Sequence, residues 1–540
     1  MKIGIDLDNT IINYDEVFPR LAKSLGITRF RDPSSKSSIK AELLKEKDGE
    51  RKWRSLQGQV YGSGVASADL YPGIHRFLWR CKVRGIEVHI LSHKTKFGHD
   101  DPQKIPLRKE ATRFLQKKGI FSETADSLVA KVHFFDSQND KVNAISEARF
   151  TWFVDDLVKV IADTRIRDCT KSILFCPQNT NAIDYSRVAK SWFEIEEEIL
   201  GDWSNEEIRS AAEAITGQPV AKVEWFGKNG NSGISKISFT NGRAAALKIY
   251  PGNRMADRLC TEYQAVKLIR TLGYKNVPEP LGHHLSLGVG VYEWIPGARR
   301  READEHAVEK VLEFLYFLSR QNVRAKFSTF SSASASVFSG QQLVEQINGR
   351  IAEFEGDGVV YGVQHFVRNS IAPVFQDTLV CAQKNWSETS FTKKLDPENR
   401  VLSPSDLGAH NWLHGETDDI YFLDFEYFGW DDPAKLICDF LLHPGMELNS
   451  ASRLAWIHGV NGLYGRSVLR RAEAMYGLLC VAWSLIVLNQ FRKPVAGVSS
   501  GKTEMAASGC EKLDVQLIKA RRILDNVSSS RAPFEYLVGK

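Results

Sequence analysis

No two cysteines in this chain are spaced as CxxC. The eight are scattered, at Cys81, Cys169, Cys176, Cys260, Cys381, Cys438, Cys480 and Cys510, which argues against a zinc or thiol–disulfide motif and suits a reducing compartment. Long apolar runs are scarce as well. Residues 475–488 are strongly apolar but fall short of the ~20 residues that cross a bilayer, so a buried helix is expected there and no membrane partner. The opening MKIGIDLDNT has no basic region ahead of an apolar stretch, and the expectation is no secretory signal and a cytoplasmic location. No Lys/Arg stripe is interleaved with aromatics, and a formal charge of +5 is small for 540 residues. Nucleic acid is therefore not an expected partner.

The length exceeds what one core fills, so two or three domains are expected. A hydrophobic content of 43% with 25% charged residues is that of a globular protein. In the first 200 residues, strand-like runs at 1–5, 86–92, 131–136, 151–155 and 171–176 alternate with helical patterns at 74–84, 106–118 and 141–148. Such alternation predicts a parallel, doubly wound α/β sheet. The first strand runs into IDLDNT, which delivers Asp6 and Asp8 to its carboxyl end, where such sheets bind ligands. Other strand ends offer phosphate-handling groups: Ser92 a hydroxyl donor, Lys141 a positive charge, and Asp155 or Asp156 a metal ligand. Lys131 and Lys117 are alternatives to Lys141, which is preferred because it opens the helix before the fourth strand.

This pattern resembles the haloacid dehalogenase (HAD) superfamily, with Asp6 and Asp8 in its DxDxT motif, Ser92 in the second, Lys141 in the third and Asp155-Asp156 in the fourth. The resemblance implies a Rossmann-like phosphatase domain over 1–200, hydrolysing a small-molecule phosphomonoester. Asp6 would be the nucleophile, Asp8 the acid and base, and Asp6, Asp8, Asp155 and Asp156 candidates for holding Mg2+. The polar insertion at about 14–70 would be a small helical cap. Its basic run, Lys45, Lys47, Arg51, Lys52 and Arg54, either attracts an anionic substrate or is a solvated helix face.

No Pro-rich or Gly/Ser-rich tether divides the chain. Instead an amphipathic acidic helix at 192–200 meets Gly201, and Ser204 with Glu207 supplies a capping box for a helix ending at Gly217. The boundary is placed at about 200.

Beyond it, strands at 221–226, 233–239 and 244–250 surround GKNGNSG, with Gly230 and Gly233 in the turn. A glycine hairpin followed by a strand carrying an inward lysine, Lys248, is how a kinase N-lobe grips ATP. A helix at 255–272 places Glu262 to pair with Lys248. Residues 288–293 lead into a hinge, where Glu293 and Ile295 would present backbone to adenine. At 403–440, Asp406, Asn411 and Asp424 supply a base and two Mg2+ ligands.

The arrangement resembles the aminoglycoside phosphotransferase and choline kinase family, which implies an α+β, protein-kinase-like bilobal domain over 201–540 (N-lobe about 218–297, C-lobe about 298–540). It also implies ATP and Mg2+ as cofactors and a small-molecule hydroxyl as acceptor. Where that family has His-Gly before the catalytic aspartate, this chain has Pro404-Ser405. His410 is read as a structural loop residue. Residues 328–340 (STFSSASASVFSG) are expected to form a mobile surface loop near the acceptor site. The phosphate-loop match AGVSSGKT at 496–503 follows Pro494 and a long helical run, and is read as chance.

Together these readings predict a bifunctional Mg2+-dependent phosphatase and ATP-dependent kinase for a sugar or amino alcohol, with surface polysaccharide metabolism as a setting by analogy. The alternative is one active head with the other, more readily the kinase-like one, as a ligand-binding module. Nucleic-acid end processing would need a basic groove and a phosphate-loop kinase, which the chain does not offer.

Overall fold

The computed structural model describes residues 1–26, 35–98, 104–177, 185, 187–229, 232–355, 359–386, 391–492, 507–528 and 533–534. Gly230 and the 496–503 match lie outside them.

The first half is built on β1 (Lys2–Ile5), β2 (Glu87–His93), β3 (Lys131–Phe135), β4 (Trp152–Asp155), β5 (Lys171–Phe175) and β6 (Val188–Ala189). They form one sheet in the order β3-β2-β1-β4-β5-β6, parallel throughout. Helices cover both faces, so the central strands read as continuous apolar runs rather than alternating ones. The strand order reverses between β1 and β4, and the crevice at their carboxyl ends is the natural binding position of such a sheet. Asp6 and Asp8 leave β1 there, and Asp155 closes β4. Three helices, Val17–Ser24, Lys36–Leu43 and Gly49–Tyr61, make the insertion, held together by Phe18 stacked on Trp53 at 5.5 Å.

The second half opens with β7 (Val220–Asn229), β8 (Ser232–Phe239), β9 (Ala244–Ile249), β10 (Pro280–His284) and β11 (Val289–Glu293). This sheet is antiparallel, in the order β10-β11-β9-β8-β7, with the helix Met255–Thr271 beside it. A mainly helical lobe follows. Its apolar 475–488 stretch lies in the helix Arg466–Val487, whose Met475, Leu478, Leu479 and Val481 are buried in the lobe's core. Among the described residues no helix is long and apolar enough to cross a membrane.

Two helices make the joint. Trp192–Leu200 sends Trp192, Ile195 and Leu200 into the first core. Asn205–Thr216, with Ser204 and Glu207 capping reciprocally, sends Ile208, Ala211 and Ala212 onto the second sheet. Both are gripped from the first half by the helix Ile74–Val83 and the residue after it. Arg76 Nε meets Glu196 at 2.9 Å, Arg80 meets Glu196 and Glu207 at 2.8 Å each, and Arg84 meets Glu207 at 2.8 Å. Arg80 also donates to the Gly201 and Asp202 carbonyls at 3.1 and 2.8 Å. Arg76 Nη1 reaches the Tyr250 carbonyl at 3.1 Å. Charges this deep are tolerable only when paired and hydrogen-bonded, and here guanidinium forks meet carboxylates directly.

Burial pushes the Glu207 pKa up, but the hydrogen bonds from Arg84 and Arg80 outweigh it and leave the group below its ordinary 4.5. A depressed carboxylate contributes stability that is complete above its unfolded pKa and is lost as pH falls through the folded one. Removing Glu207 would leave Arg84 without a carboxylate partner among the described residues and Arg80 with Glu196 alone, so Glu207→Ala is expected to cost about 3–5 kcal/mol, read as a lowered urea midpoint at pH 7. Wild type should begin to lose the stability that the Glu207 carboxylate contributes as pH drops below 4.5. A wild type and variant that track each other at pH 7 would show that the network does not hold the joint.

Candidate active sites

The first cluster gathers at the carboxyl ends of β1 and β4. The helix Gln138–Ala148, N-capped by Ser137, buries Lys141 in its first turn. The Lys141 ammonium bonds Asp155 Oδ2 at 2.7 Å and Asp6 Oδ1. Thr10 donates to the other Asp6 oxygen at 3.4 Å. Asp8 is held separately, by the Tyr14 hydroxyl at 2.7 Å and by Lys94 at 2.8 Å. Carboxylate oxygens of Asp6, Asp155 and Asp156 lie within 4.8 Å of one another.

One cation cannot satisfy that much negative charge. Burial raises the Asp6 pKa well above its ordinary value despite Lys141. Burial, with Asp155 adjacent, pushes Asp156 up to about 7. A buried set of hard oxygen donors is the chemistry that suits Mg2+. The cluster opens into a cavity of about 390 Å³ that Asp8, Ser92 and Lys94 also line. From the cap, Lys36 and Arg54 face it, whereas Lys45 and Lys52 pair with Glu42 and Glu46 on the outer surface. Of the basic run, then, only Arg54 faces the cavity. Lys94 was missed in the sequence; its signal was its place two residues beyond Ser92 on the same strand end.

The second cluster surrounds Lys248 on β9, buried between the lobes. Its nitrogen lies 2.7 Å from Glu262 Oε2, 2.8 Å from Asp424 Oδ1 and 3.4 Å from Glu426 Oε2. Burial works to lower its pKa, but Asp424, Glu262 and Glu426 outweigh that and raise it. Tyr250 donates to Glu262 at 2.7 Å. Lys248, Glu262 and Asp424 face a cavity of about 450 Å³ lined also by Glu293, Ile295 and Asn411. Gly233, the second residue of β8, lies against Trp225, whose ring would be 2.7 Å from an added Cβ. Glu426, bound also by Arg258 at 3.2 Å, is a further residue of the site that the motif spacing did not single out.

Asp406 faces a different cavity, of about 680 Å³. His443 Nδ1 accepts from the Gly445 N–H at 3.1 Å, so its proton sits on Nε2, which donates to Asp406 Oδ1 at 2.8 Å. His410 reaches the other oxygen at 3.4 Å and stacks on His443 at 5.1 Å. Burial would raise the Asp406 pKa, but the hydrogen bonds from His410 and His443 hold it well below the usual carboxylate range. Asn411 donates to the Asp406 carbonyl at 3.2 Å, fixing the turn. Gly408 is what lets the two rings close in, since a Cβ there would lie 2.2 Å from His443 Cε1. Ser405 and Asp424 have φ of 69° and 64°, a conformation that costs non-glycine residues and clusters at functional sites. The loop brace thus comes from His443, 37 positions downstream, where no local motif reveals it.

Residues 328–340 are not a mobile loop. Val337 and Phe338 are buried, and so are the small Ala333, Ser336 and Ser339. Ala333 N–H donates to the Trp430 carbonyl at 2.9 Å, Ser334 N–H to Tyr427 at 3.0 Å, and Ser405 Oγ to the Ser334 carbonyl at 3.1 Å. Few large apolar groups suffice because backbone hydrogen bonds and close approach do the packing. Ser334 and Ala335 line the Asp406 cavity.

No family model and no curated protein matches the chain. Among solved structures, a spectinomycin phosphotransferase with ADP and spectinomycin bound aligns at 12% identity and TM-score 0.43, over 61% of this chain and 99% of its own. An ethanolamine kinase of Plasmodium vivax aligns at 12% and 0.40, over 63% and 88%, and a choline kinase of Streptococcus pneumoniae at 13% and 0.37, over 58% and 98%.

A Cβ on Gly429 would lie 2.5 Å from the Ser331 carbonyl oxygen and 2.6 Å from the Ala333 nitrogen, backbone atoms that cannot step aside. Gly429→Ala is expected to dislodge 328–340 and to cost about 1–3 kcal/mol. Limited proteolysis should cut that segment in the variant and spare it in wild type.

Proposed function

We propose that the chain is a bifunctional enzyme, an ATP-dependent kinase of a small-molecule hydroxyl in its second half and a Mg2+-dependent phosphomonoesterase in its first. The observation that carries the kinase reading is Lys248 held between Glu262 and Asp424 over one cavity, with Asp406 held ionised by His443 over the next. Lys248 is placed to bind nucleotide phosphates and Asp406 to orient an acceptor hydroxyl. As that oxygen attacks the γ-phosphorus, its proton passes to Asp406 and ADP departs with the bridging oxygen. Asp424 and Asn411 are the residues that would hold Mg2+, which supplies charge neutralisation on the phosphates. The Glu293–Ile295 segment lines the same cavity and offers backbone to an adenine.

In the first half, support comes from the separation of roles among the carboxylates. Asp6, against Lys141, is positioned to attack a phosphorus. Asp8, held by Tyr14 and Lys94, is positioned to protonate the departing alcohol and then to take a proton from the water that cleaves the aspartyl-phosphate. Asp6, Asp155 and Asp156 would hold the metal. The two heads sharing one chain suggests that they act on related metabolites, with sugar phosphates feeding surface polysaccharides as one setting.

Asp406→Asn should lower phosphoryl transfer from labelled ATP by about 10²–10⁴-fold, the range for a lost general base. His443→Ala should lower kcat by about 10–100-fold, as for other partners that orient a reacting group, with ATP binding preserved. Wild type that binds ATP but phosphorylates nothing in a broad acceptor panel would instead favour a ligand-binding module.

Asp6→Asn should abolish hydrolysis of simple phosphomonoesters while transfer from ATP persists. Hydrolysis that survives this substitution would remove Asp6 from the nucleophile's role, and hydrolysis that survives chelation of Mg2+ would remove the metal.

A further inference from the structure

The cavity on which Asp406 opens carries a charge pattern of its own. Its lining includes six cationic side chains, Arg258, Arg301, Arg350, Lys435, Arg492 and Lys519, against two carboxylates, Asp406 and Asp439. Half of that positive charge is already answered: Lys435 lies between Asp431 and Asp439 at 3.3 and 2.5 Å, Arg258 meets Glu426 at 3.2 Å, and Arg492 meets Glu353 at 2.7 Å. The other three cations, Arg301, Arg350 and Lys519, have no ion pair among the described residues.

Arg350 is the informative one. It stands in the last turn of the helix Gly340–Ala352 and is partly buried. Burial and the like charge of Arg492 push its pKa below the ordinary arginine value, with only Glu353 opposing. A half-withdrawn guanidinium beside a second one, facing open volume, is an arrangement that an anion in the cavity would relieve. Leu479, Ile486 and Trp483 add apolar lining, which suits the carbon skeleton of a ligand rather than a bare ion.

Building on the kinase reading above, we propose that the acceptor is a hydroxyl compound already carrying an anionic group, a phosphate ester or a carboxylate, bound by Arg350 with Arg301 and Lys519 while its hydroxyl lies at Asp406. The volume of about 680 Å³ is ample for a phosphorylated or acidic sugar. Neutral sugars leave the three cations unanswered, and cationic amino alcohols are repelled by them.

The test uses the full-length protein and five sugars of similar size: glucose 6-phosphate, gluconate, glucuronate, neutral glucose and cationic glucosamine. Label from ATP is followed into the sugar product, and equilibrium binding of the same sugars is measured by calorimetry. Anionic acceptors should exceed glucose in kcat/KM by at least about tenfold, and glucosamine should rank last. The phosphate and carboxylate arms identify which anion is preferred. Arg350→Gln should weaken anion binding by about 10–100-fold, the scale of a lost charge-assisted contact, and collapse the preference, whereas Arg350→Lys should retain part of it.

Preferred transfer to glucose or glucosamine, or a preference unchanged in Arg350→Gln, overturns the anionic acceptor while leaving the kinase standing. Arg350-dependent binding of an anionic sugar with no transfer to any acceptor keeps the anion pocket and defeats the kinase. Absence of both binding and transfer for the anionic sugars also overturns the proposal.

Discussion

Lys141 and Lys248 are each an ammonium taken out of water and returned to balance chiefly by its two nearest carboxylates, Asp6 with Asp155 in one case and Glu262 with Asp424 in the other. The remaining design of both halves follows from keeping those triads intact. A buried lysine survives in its charged form only if acidic partners outweigh its desolvation, so each needs elements that arrive from distant parts of the chain at one point. In the first half, β1 and β4 are neighbours in a parallel sheet and bring their ends together. In the second, β9 and the helix Met255–Thr271 bring Lys248 and Glu262 together from 14 residues apart, and Asp424 closes the triad from the other lobe.

Carboxylates in such a set are also in excess. The pKa values of Asp6, Asp156 and Glu262 are raised, due first to burial in each case, and a bound cation would offset that desolvation. Asp406 is the contrast. It too is a buried carboxylate, but hydrogen bonds from His410 and His443 outweigh its burial and hold it ionised.

The parts of this arrangement legible in the sequence are those carried by local spacing. IDLDNT announces a strand end with two carboxylates because the apolar run and the following loop are written in adjacent residues. Lys248 and Glu262 are readable as partners because a strand followed by a helix fixes their relative position. His443, Lys94 and Glu426 were not singled out, since their roles depend on a tertiary approach that no spacing encodes. The 328–340 segment misleads for a physical reason: it has few large apolar groups, yet it packs by backbone hydrogen bonding against the strand Gly429–Asp431, where absent side chains are an advantage.

The joint adds a constraint that neither half shows alone. Arg76 is bound to Glu196 of the first half's last helix and also to the carbonyl of Tyr250, the residue that follows β9. The hydroxyl of that same tyrosine donates to Glu262, which holds Lys248. One arginine side chain therefore ties the placement of the first domain to the backbone beside the second site's central lysine. A flexible tether would allow the two halves to turn independently. A buried ionic network does not, because any rotation would break charge pairs that have no water to replace them. The two cavities are consequently held in a fixed relation.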